Sequence, residues 1–307
     1  MNYLGHLMEV STLEEKKVCF TFDVEDWFQV ENLRAVFPPE RWDYCEFRVV
    51  TNTKRILELL DKYNIKATFF VLGWIAERFP EVVKEIHTKG HEIGSHGYGH
   101  IINYKLSKEE LFNDLSKSKD ILEGIIGEKV LGYRAPNFSI TKDVIEILEN
   151  IGFKYDSSYH PFSKNDRYGK LDDYKLNNND KIFKVSDQLY EISLPVLKTN
   201  KFEIPLAGGG YFRLYPYFVF EKLFFKYMSN NNLFVMYLHP WEFDEKQPKV
   251  KNIKFSYRLR HYIGLNKTYR KLEKFINKIN SSNEFSFVRL KDLLEDDAIE
   301  QNSDRFS

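Results

Sequence analysis

The residues with the clearest chemical potential are His96 and His100, four positions apart in the segment 91–100, HEIGSHGYGH. This segment predicts a short strand running into a glycine-rich turn, which would present both imidazoles on one side of the backbone. Neutral imidazole nitrogens bind zinc and other first-row metals, and a hydrolytic site also needs a third protein ligand and an open position for water. Because eight histidines in 307 residues also give this spacing by chance, further groups are needed to support a metal site.

Other potentially reactive side chains follow short apolar, strand-like segments. Together with the two histidines they form five clusters, and the other four are Asp23 with Glu25 and Asp26, then Arg134, Asp156 and His239. Strand-like and helix-like segments alternate along the first half of the chain, which predicts parallel βα units. In a closed or nearly closed parallel βα barrel, the carboxyl ends of the strands share one rim, so the five clusters would meet there. Each cluster alone has an ordinary explanation, such as a helix cap, but the five together favour a site.

These groups would supply the parts of a metal-assisted amide hydrolase. Two histidines and a carboxylate hold a divalent metal, which lowers the pKa of a water to about 7 and polarises a carbonyl. A second carboxylate beside an arginine stays ionised and can act as a general base. A histidine on the opposite side can give its proton to a departing amine.

Several local structures are also predicted. A helix is expected over residues 51–63, capped by Thr51 or Asn52, and a strand over 189–197. Residues 207–214, AGGGYFRL, are predicted to be a Gly-rich loop without a phosphate-binding pattern. Arg213 in this segment is expected to form a salt bridge at the rim, with contact to an acidic sugar or phosphate as the alternative. We predict an amino-terminal extension over 1–17, a single domain over 18–295 and a flexible tail over 296–307.

Composition restricts the partners and the compartment. Lysine plus arginine and aspartate plus glutamate both number 45, so the net charge is zero and no general nucleic-acid binding is expected. The amino terminus does not resemble a signal peptide and no segment reaches roughly 18 apolar residues, which predicts a cytoplasmic protein without a transmembrane segment. Cys19 and Cys45 fit that compartment as reduced thiols. The sequence does not indicate the oligomeric state.

The motifs resemble those of the polysaccharide deacetylases of the NodB homology type, carbohydrate esterase family 4. The resemblance covers residues 18–294 and rests on five segments: FDVED at 22–26, HGYGH at 96–100, RAP at 134–136, YDSS at 155–158 and LHP at 238–240. The spellings DVEDWF, GGGYFRL and LHPWE resemble the branch found with bacterial exopolysaccharide synthesis genes. The resemblance implies a distorted seven-stranded (β/α) TIM-like barrel that removes N-acetyl groups from amino sugars.

The resemblance also implies roles for individual residues. Asp23 would be the general base, tuned by Arg134, and His239 the general acid, tuned by Asp156. The metal ligands would be His96 and His100 with a third ligand from the first motif, where the usual adjacent aspartates are replaced. Glu25 and Asp26 both remain open as that ligand. The metal is expected to be zinc, with cobalt, nickel, iron and manganese as alternatives.

Residues around the expected rim are candidates for stacking on sugar rings, although they could equally cover the barrel. These candidates are Trp27, Phe28, Tyr98, Pro136, Tyr211, Phe212 and Trp241. The expected partner is a carbohydrate, either a polymer or a lipid-linked precursor at the inner membrane face, with peripheral association with the polysaccharide-synthesis machinery. Two other functions stay open: an amidohydrolase acting on a small amide, formamide or ureide, and a non-catalytic carbohydrate-binding protein.

Overall fold

The computed structural model describes residues 15–162, 168–169, 171, 181–199 and 202–294. Most of the predicted amino-terminal extension and the predicted tail lie outside these residues. Among the described residues, no helix is both long and apolar enough to cross a lipid bilayer.

Strands and helices alternate through the first half of the chain, as predicted. The strands are β1 Lys16–Val24, β2 Thr68–Val71, β3 Glu92–Ser95, β4 Gly132–Tyr133, β5 Tyr155–Asp156, β6 Ile182–Lys184, β7 Tyr190–Ile192, β8 Val196–Lys198, β9 Glu203–Pro205, β10 Leu233–Leu238 and β11 Phe285–Phe287. The helices are α1 Val49–Lys62, α2 Gly73–Arg78, α3 Pro80–Thr88, α4 Lys108–Ile126, α5 Lys142–Ile151, α6 Gly209–Leu214, α7 Tyr217–Met228, α8 Phe255–Tyr262 and α9 Leu265–Asn280.

The main sheet has nine strands in the order β10-β1-β2-β3-β4-β5-β7-β6, and β11 also pairs with β1. All of its pairings are parallel except β6 with β7. The strands β8 and β9 form a separate antiparallel hairpin. The predicted mixed α/β fold with a mainly parallel, curled sheet is therefore confirmed.

Closure of this sheet into a seven-stranded barrel is not confirmed. Among the described residues, β7 pairs with β5 and β6 but not with β10. The part of the chain between β7 and β10 that the structure describes forms the β8–β9 hairpin, α6 and α7. Within that part, one parallel bridge joins Gly208 to Tyr237 of β10.

The strand register brings the polar clusters to one edge of the sheet. Leu238 pairs with Phe22, so the residue after β10 lies level with Asp23. Ser95 pairs with Tyr133 in the same way, so the residues that follow β3 and β4 lie beside each other. Because the strands are parallel, these carboxyl ends all face the same side.

Two local predictions are wrong for identifiable reasons. The helix α1 begins at Val49, earlier than predicted, and neither Thr51 nor Asn52 caps it, because the Asp26 carboxylate accepts from the N–H groups of Arg48 and Val49 at 2.7 and 3.0 Å. The predicted strand over 189–197 divides into β7 and β8, with the proline at position 195 between them. Proline cannot donate a hydrogen bond to a neighbouring strand.

The predicted Gly-rich loop is also wrong, because residues 209–214 form the helix α6. Phe212 is fully buried in this helix and packs edge-to-face on Phe220 with 4.8 Å between ring centroids. Burial of this ring stabilises a helical turn that glycine propensity alone would disfavour.

Candidate active site

Three of the five polar clusters contribute to the lining of one cavity of about 590 Å³ at the carboxyl edge of the sheet, while Arg134 and Asp156 are not among the described residues that line it. Five candidate residues line it: Asp23, Glu25, His96, His100 and His239. Four of them are buried, and His239 leaves 19% of its side chain exposed. The cavity therefore brings together an acidic pair and three imidazoles that are distant in the sequence.

Glu25, His96 and His100 form a cluster that could hold a metal ion, with one potential ligand atom from each residue and all three atoms within 4.8 Å of one another. Glu25 Oε2 lies 2.8 Å from His100 Nε2, yet this buried oxygen has no hydrogen-bond partner among the described residues. The His96 ring places Nδ1 2.8 Å from the carbonyl oxygen of Arg134. Donation from Nδ1 leaves Nε2 with a free lone pair, which is the tautomer a metal requires.

The electrostatics of this cluster also fit a cation. Burial lowers the pKa of His96 to about 4, so its imidazole is neutral near pH 7. Burial alone would raise the pKa of Glu25, but the neighbouring His100 and the other two imidazoles hold it well below its usual range. A carboxylate and two imidazoles are a typical donor set for zinc and its first-row neighbours.

Glu25 and Asp26, the two candidates for the third metal ligand, lie in different environments. Asp26 accepts three backbone hydrogen bonds, from Trp27 at 2.8 Å and from the start of α1, and it does not line the cavity. Burial raises its pKa to about 6, although these three donors favour the carboxylate. Glu25 instead receives one hydrogen bond at Oε1, from Trp241 Nε1 at 3.1 Å, and keeps Oε2 toward the histidines.

Asp23 is held by a buried arginine. Arg134 Nη1 lies 2.9 Å from Asp23 Oδ1, and the same guanidinium donates to Thr21, to the Ser157 carbonyl oxygen and to the Ser157 hydroxyl. Its planar fork also lies over the Phe70 ring, 4.3 Å from the centroid. Because four of its five N–H donors have fixed partners, Arg134 holds one carboxylate oxygen of Asp23, Oδ1, and leaves Oδ2 without a bond to the guanidinium.

His239 lies close to both members of the acidic pair, Asp23 and Glu25. Its Nε2 lies 3.5 Å from Glu25 Oε1 and 3.9 Å from Asp23 Oδ2. Its Nδ1 lies 3.1 Å from Glu242 Oε2, which also accepts from the His239 backbone N–H at 3.0 Å. Burial opposes the charged imidazolium, but the hydrogen bond to Glu242 and the charges of Glu25, Glu242 and Asp23 outweigh it and raise the pKa of His239 to about 9.

The resemblance implies that Asp156 tunes His239, but the carboxylate that contacts His239 Nδ1 is that of Glu242. Asp156 accepts from the Ser158 hydroxyl at 2.6 Å and from the Ser158 backbone at 3.0 Å. That hydroxyl in turn accepts from Ala135 N–H at 2.7 Å, so Asp156 supports the loop after β4. Burial raises the pKa of both Asp156 and its register neighbour Glu191, and the two buried carboxyls favour a shared proton.

The sequence analysis did not identify Glu242 as the partner of His239, nor Arg213 as the partner of Glu242. Arg213 Nε donates to Glu242 Oε1 at 2.9 Å, so the predicted salt bridge of Arg213 is present but is buried in the wall of the cavity. Burial alone would raise the pKa of Glu242, but Arg213 and His239 hold it below its usual range. The available signal was the spacing of His239 and Glu242, which is that of a capping box.

Gly208 and Gly209, at the start of α6, allow Tyr237 and Glu242 to approach the backbone closely. A Cβ added to Gly208 would lie 2.3 Å from the Tyr237 hydroxyl, and one added to Gly209 would lie 1.8 Å from Glu242 Oε2. The Gly-rich motif therefore leaves space for the carboxylate that contacts His239.

We expect G209A to lower the free energy of unfolding by about 1–3 kcal/mol, because the added methyl group must displace Glu242. The matched control is G210A in the same helix, where an added Cβ meets no atom within 4 Å. Relief of glycine's backbone entropy should make that change neutral or stabilising by about 0.4–1 kcal/mol. Urea denaturation of the two variants checks this, and equal unfolding midpoints would contradict the close contact.

The predicted sugar-stacking residues separate into two groups. Tyr211 and Trp241 line the cavity, and the Trp241 ring stacks on His239 with 5.3 Å between centroids. Trp27, Tyr98 and Pro136 are not among the described residues that line it. Phe28 and Phe212 are fully buried in the core. Trp27 donates to the Glu46 carbonyl oxygen, and Tyr98 donates its hydroxyl to Glu77, so both are engaged outside the cavity.

Comparisons with known proteins divide the chain near its middle. Residues 11–155 match the family model "Polysaccharide deacetylase", and residues 157–295 match "Domain of unknown function (DUF3473)". The peptidoglycan-N-acetylglucosamine deacetylase of Bacillus cereus is 44% identical over 98 residues, covering 32% of this chain and 33% of that protein. The chain thus matches about a third of the length of this curated relative.

Two solved structures share the fold over most of the chain. A candidate polysaccharide deacetylase from Mycobacterium smegmatis has a TM-score of 0.62 and 20% identity, covering 94% of this chain and 92% of that one. A carbohydrate esterase family 4 pseudoenzyme from Bacillus anthracis has a TM-score of 0.51 and 17% identity, covering 92% of this chain and 66% of that one. At these identities the likeness concerns the fold alone.

Proposed function

Because the chain belongs to the polysaccharide deacetylase family through residues 11–155, we propose that it is a metal-dependent hydrolase that removes N-acetyl groups from amino sugars of a poly- or oligosaccharide and releases acetate. Deacetylases of this kind cleave carbon–nitrogen amide bonds. The observation that carries the proposal is one cavity whose lining includes the Glu25/His96/His100 cluster together with Asp23, which pairs with Arg134, and His239, which pairs with Glu242.

Asp23 is proposed as the general base. Its Oδ1 is engaged by Arg134 and its Oδ2 faces the cavity, so one oxygen positions the group while the other accepts a proton from the attacking water. A divalent ion held by Glu25, His96 and His100, which we propose to be zinc, would polarise the acetamide carbonyl and favour ionisation of water.

His239 is proposed as the general acid. A group whose pKa is raised to about 9 carries its proton at neutral pH and can pass it from Nε2 to the departing amino nitrogen. Glu242 fixes the ring through Nδ1, which leaves Nε2 toward Asp23 and Glu25. The 3.9 Å between His239 Nε2 and Asp23 Oδ2 supports the proposal, because a base and an acid this close can act on one amide group.

Finer features of the proposal follow the sequence resemblance. We propose an exopolysaccharide or its lipid-linked precursor as the substrate, encountered at the inner membrane face near the synthesis machinery. Tyr211 and Trp241 are the proposed sugar-contacting rings, since both line the cavity. We also propose a distorted barrel of the kind that the resemblance implies. The seven neighbouring strands β10, β1, β2, β3, β4, β5 and β7, which are all parallel, support it.

Acetate release tests the proposed function. The protein is incubated with N-acetylglucosamine oligomers and, separately, with small amides, formamides and ureides, and the products are quantified. Release of acetate from the oligomers with formation of free amine is expected. Turnover of the small amides alone would instead indicate the small-amide alternative, and sugar binding without turnover or bound metal would indicate a binding protein.

We expect E242Q to move the alkaline limb of the kcat profile to lower pH. A general acid must hold its proton, so the rate falls as pH rises through its pKa, and wild type should lose rate near pH 9. Glutamine keeps an acceptor for His239 but removes one of the charges that raise its pKa, so protonation is lost earlier. At neutral pH we expect kcat to fall about tenfold. The exposed neighbour provides the control E245Q, and identical limbs in E242Q and wild type would contradict the assignment.

A further inference from the structure

The helix α8 is fixed to the wall of the candidate active site by its carboxyl-terminal end. The ring of His261 stacks on Trp241 with 4.5 Å between centroids and lies 2.7 Å from Gln247 Oε1 through Nε2. Arg213 Nη1 donates to the His261 carbonyl oxygen at 2.9 Å, and the Tyr262 hydroxyl donates to the backbone at residue 248 at 2.8 Å. These contacts bury His261, whereas five other residues of α8 (255, 256, 258, 259 and 260) are exposed.

Two large apolar side chains are among the exposed residues of α8. Phe255 and Leu259 are one helical turn apart on α8 and are 79% and 52% exposed. Leu214, at the end of α6, is 54% exposed. Leu214 and Leu259 both line the cavity that contains the candidate site and are partly exposed, and Phe255 lies one helical turn from Leu259. We call Leu214, Phe255 and Leu259 the mouth patch.

The segment that carries the mouth patch is strongly basic. Residues 245–262 contain one acidic residue, Glu245, and six basic residues: Lys246, Lys249, Lys251, Lys254, Arg258 and Arg260. All six basic side chains are exposed, and none forms an ion pair with any described residue. The whole chain has a net charge of zero, so this surface is a local concentration of positive charge.

We propose that this basic segment and the mouth patch bind the surface of an anionic lipid bilayer, with the opening of the cavity against the membrane. Clustered lysines and arginines are attracted to anionic headgroups, and exposed aromatic and aliphatic side chains between them enter the boundary with the acyl chains. An anionic polysaccharide would use the charges, but it offers no apolar phase for Leu214 and Leu259. This surface lies outside the catalytic groups and does not depend on the proposed deacetylation.

Vesicle co-sedimentation of the full chain, without substrate, tests the proposal. Vesicles of phosphatidylglycerol in phosphatidylcholine should bind the protein, and pure phosphatidylcholine should bind it far more weakly. The K254Q/R258Q variant should bind about 25-fold more weakly, because each basic residue contributes about fivefold. F255S should bind about tenfold more weakly through loss of apolar burial. None of these three residues lines the cavity.

Matched controls come from other exposed surfaces. K84Q/K226Q removes two exposed lysines from α3 and α7, and F112S removes a 44% exposed ring from α4, so both should bind as wild type does. Equal binding by the α8 variants and these controls would overturn the proposal. It would also be overturned if dextran sulfate bound the protein while anionic vesicles did not. Because binding is read without turnover, an inactive protein that sediments with vesicles would leave this surface supported and only the proposed function rejected.

Discussion

The D23N variant is expected to lose about 10³-fold in kcat for acetate release while it keeps the zinc content of the wild type. Asparagine preserves an oxygen that can accept from Arg134, where the present distance is 2.9 Å, but it cannot take a proton from water. General base catalysis contributes about 10²–10⁴-fold, which sets the expected loss. Metal binding should persist because the candidate ligands are Glu25, His96 and His100. Steady-state kinetics with a parallel zinc determination measure both quantities.

The control for this variant is D143N, which makes the same chemical change at an exposed carboxylate on α5 that pairs with Lys108. Its kcat should match that of the wild type. A fully active D23N protein would remove Asp23 from the reaction. Loss of zinc along with activity would instead place Asp23 among the metal ligands.

The second large effect is expected on zinc binding, and it should distinguish Glu25 from its neighbour Asp26. We expect E25Q to weaken zinc binding by at least about 100-fold, since it removes a charged ligand oxygen from the cluster. D26N should keep wild-type affinity but lower the free energy of unfolding by about 1–2 kcal/mol, because three backbone N–H groups lose a charged acceptor. Competition with a chromogenic chelator and urea denaturation give the two readouts for each variant.

The two variants serve as controls for each other, because each removes one buried carboxylate from neighbouring positions. Zinc loss in D26N with retention in E25Q would reverse the assignment of the third ligand. Zinc loss in both would mean that the metal site depends on the loop rather than on one side chain.

The sequence alone was sufficient to predict which edge of the sheet carries the reactive residues that follow the strands. Apolar runs ending in Asp23, His96, Arg134 and His239 predicted parallel strands with a common carboxyl edge, and the register now places these residues around one cavity or in its supporting wall. This worked because strand direction alone determines which edge a following residue occupies. No long-range distance had to be estimated.

The choice between Glu25 and Asp26 could not be made in the same way. Both are acids in one short loop, and the difference is that the first N–H groups of α1 lie beside Asp26. That contact joins residues 22 or more positions apart, so it depends on the tertiary arrangement. The contact of His239 with Glu242 rather than with Asp156 also depends on the tertiary arrangement. Gly209 and Arg213 belong to α6, and both lie against the Glu242 carboxylate.

The Gly-rich segment shows a further limit. Three consecutive glycines predict a loop by propensity, but burial of Phe212 and the close approach of Glu242 to Gly209 favour a helix. Local preference of about 1 kcal/mol per glycine was outweighed by packing. Gly208 and Gly209 also leave space for Tyr237 and Glu242, and a sequence alone gives no such distance.

A crystal structure of the protein with zinc and acetate tests the central claim most directly, because anomalous diffraction identifies the ion and the acetate marks the product site. The account predicts one ion bound by Glu25, His96 and His100, with the acetate between that ion and His239 and within reach of Asp23. An ion bound by other residues, or an acetate that contacts neither Asp23 nor His239, would contradict it.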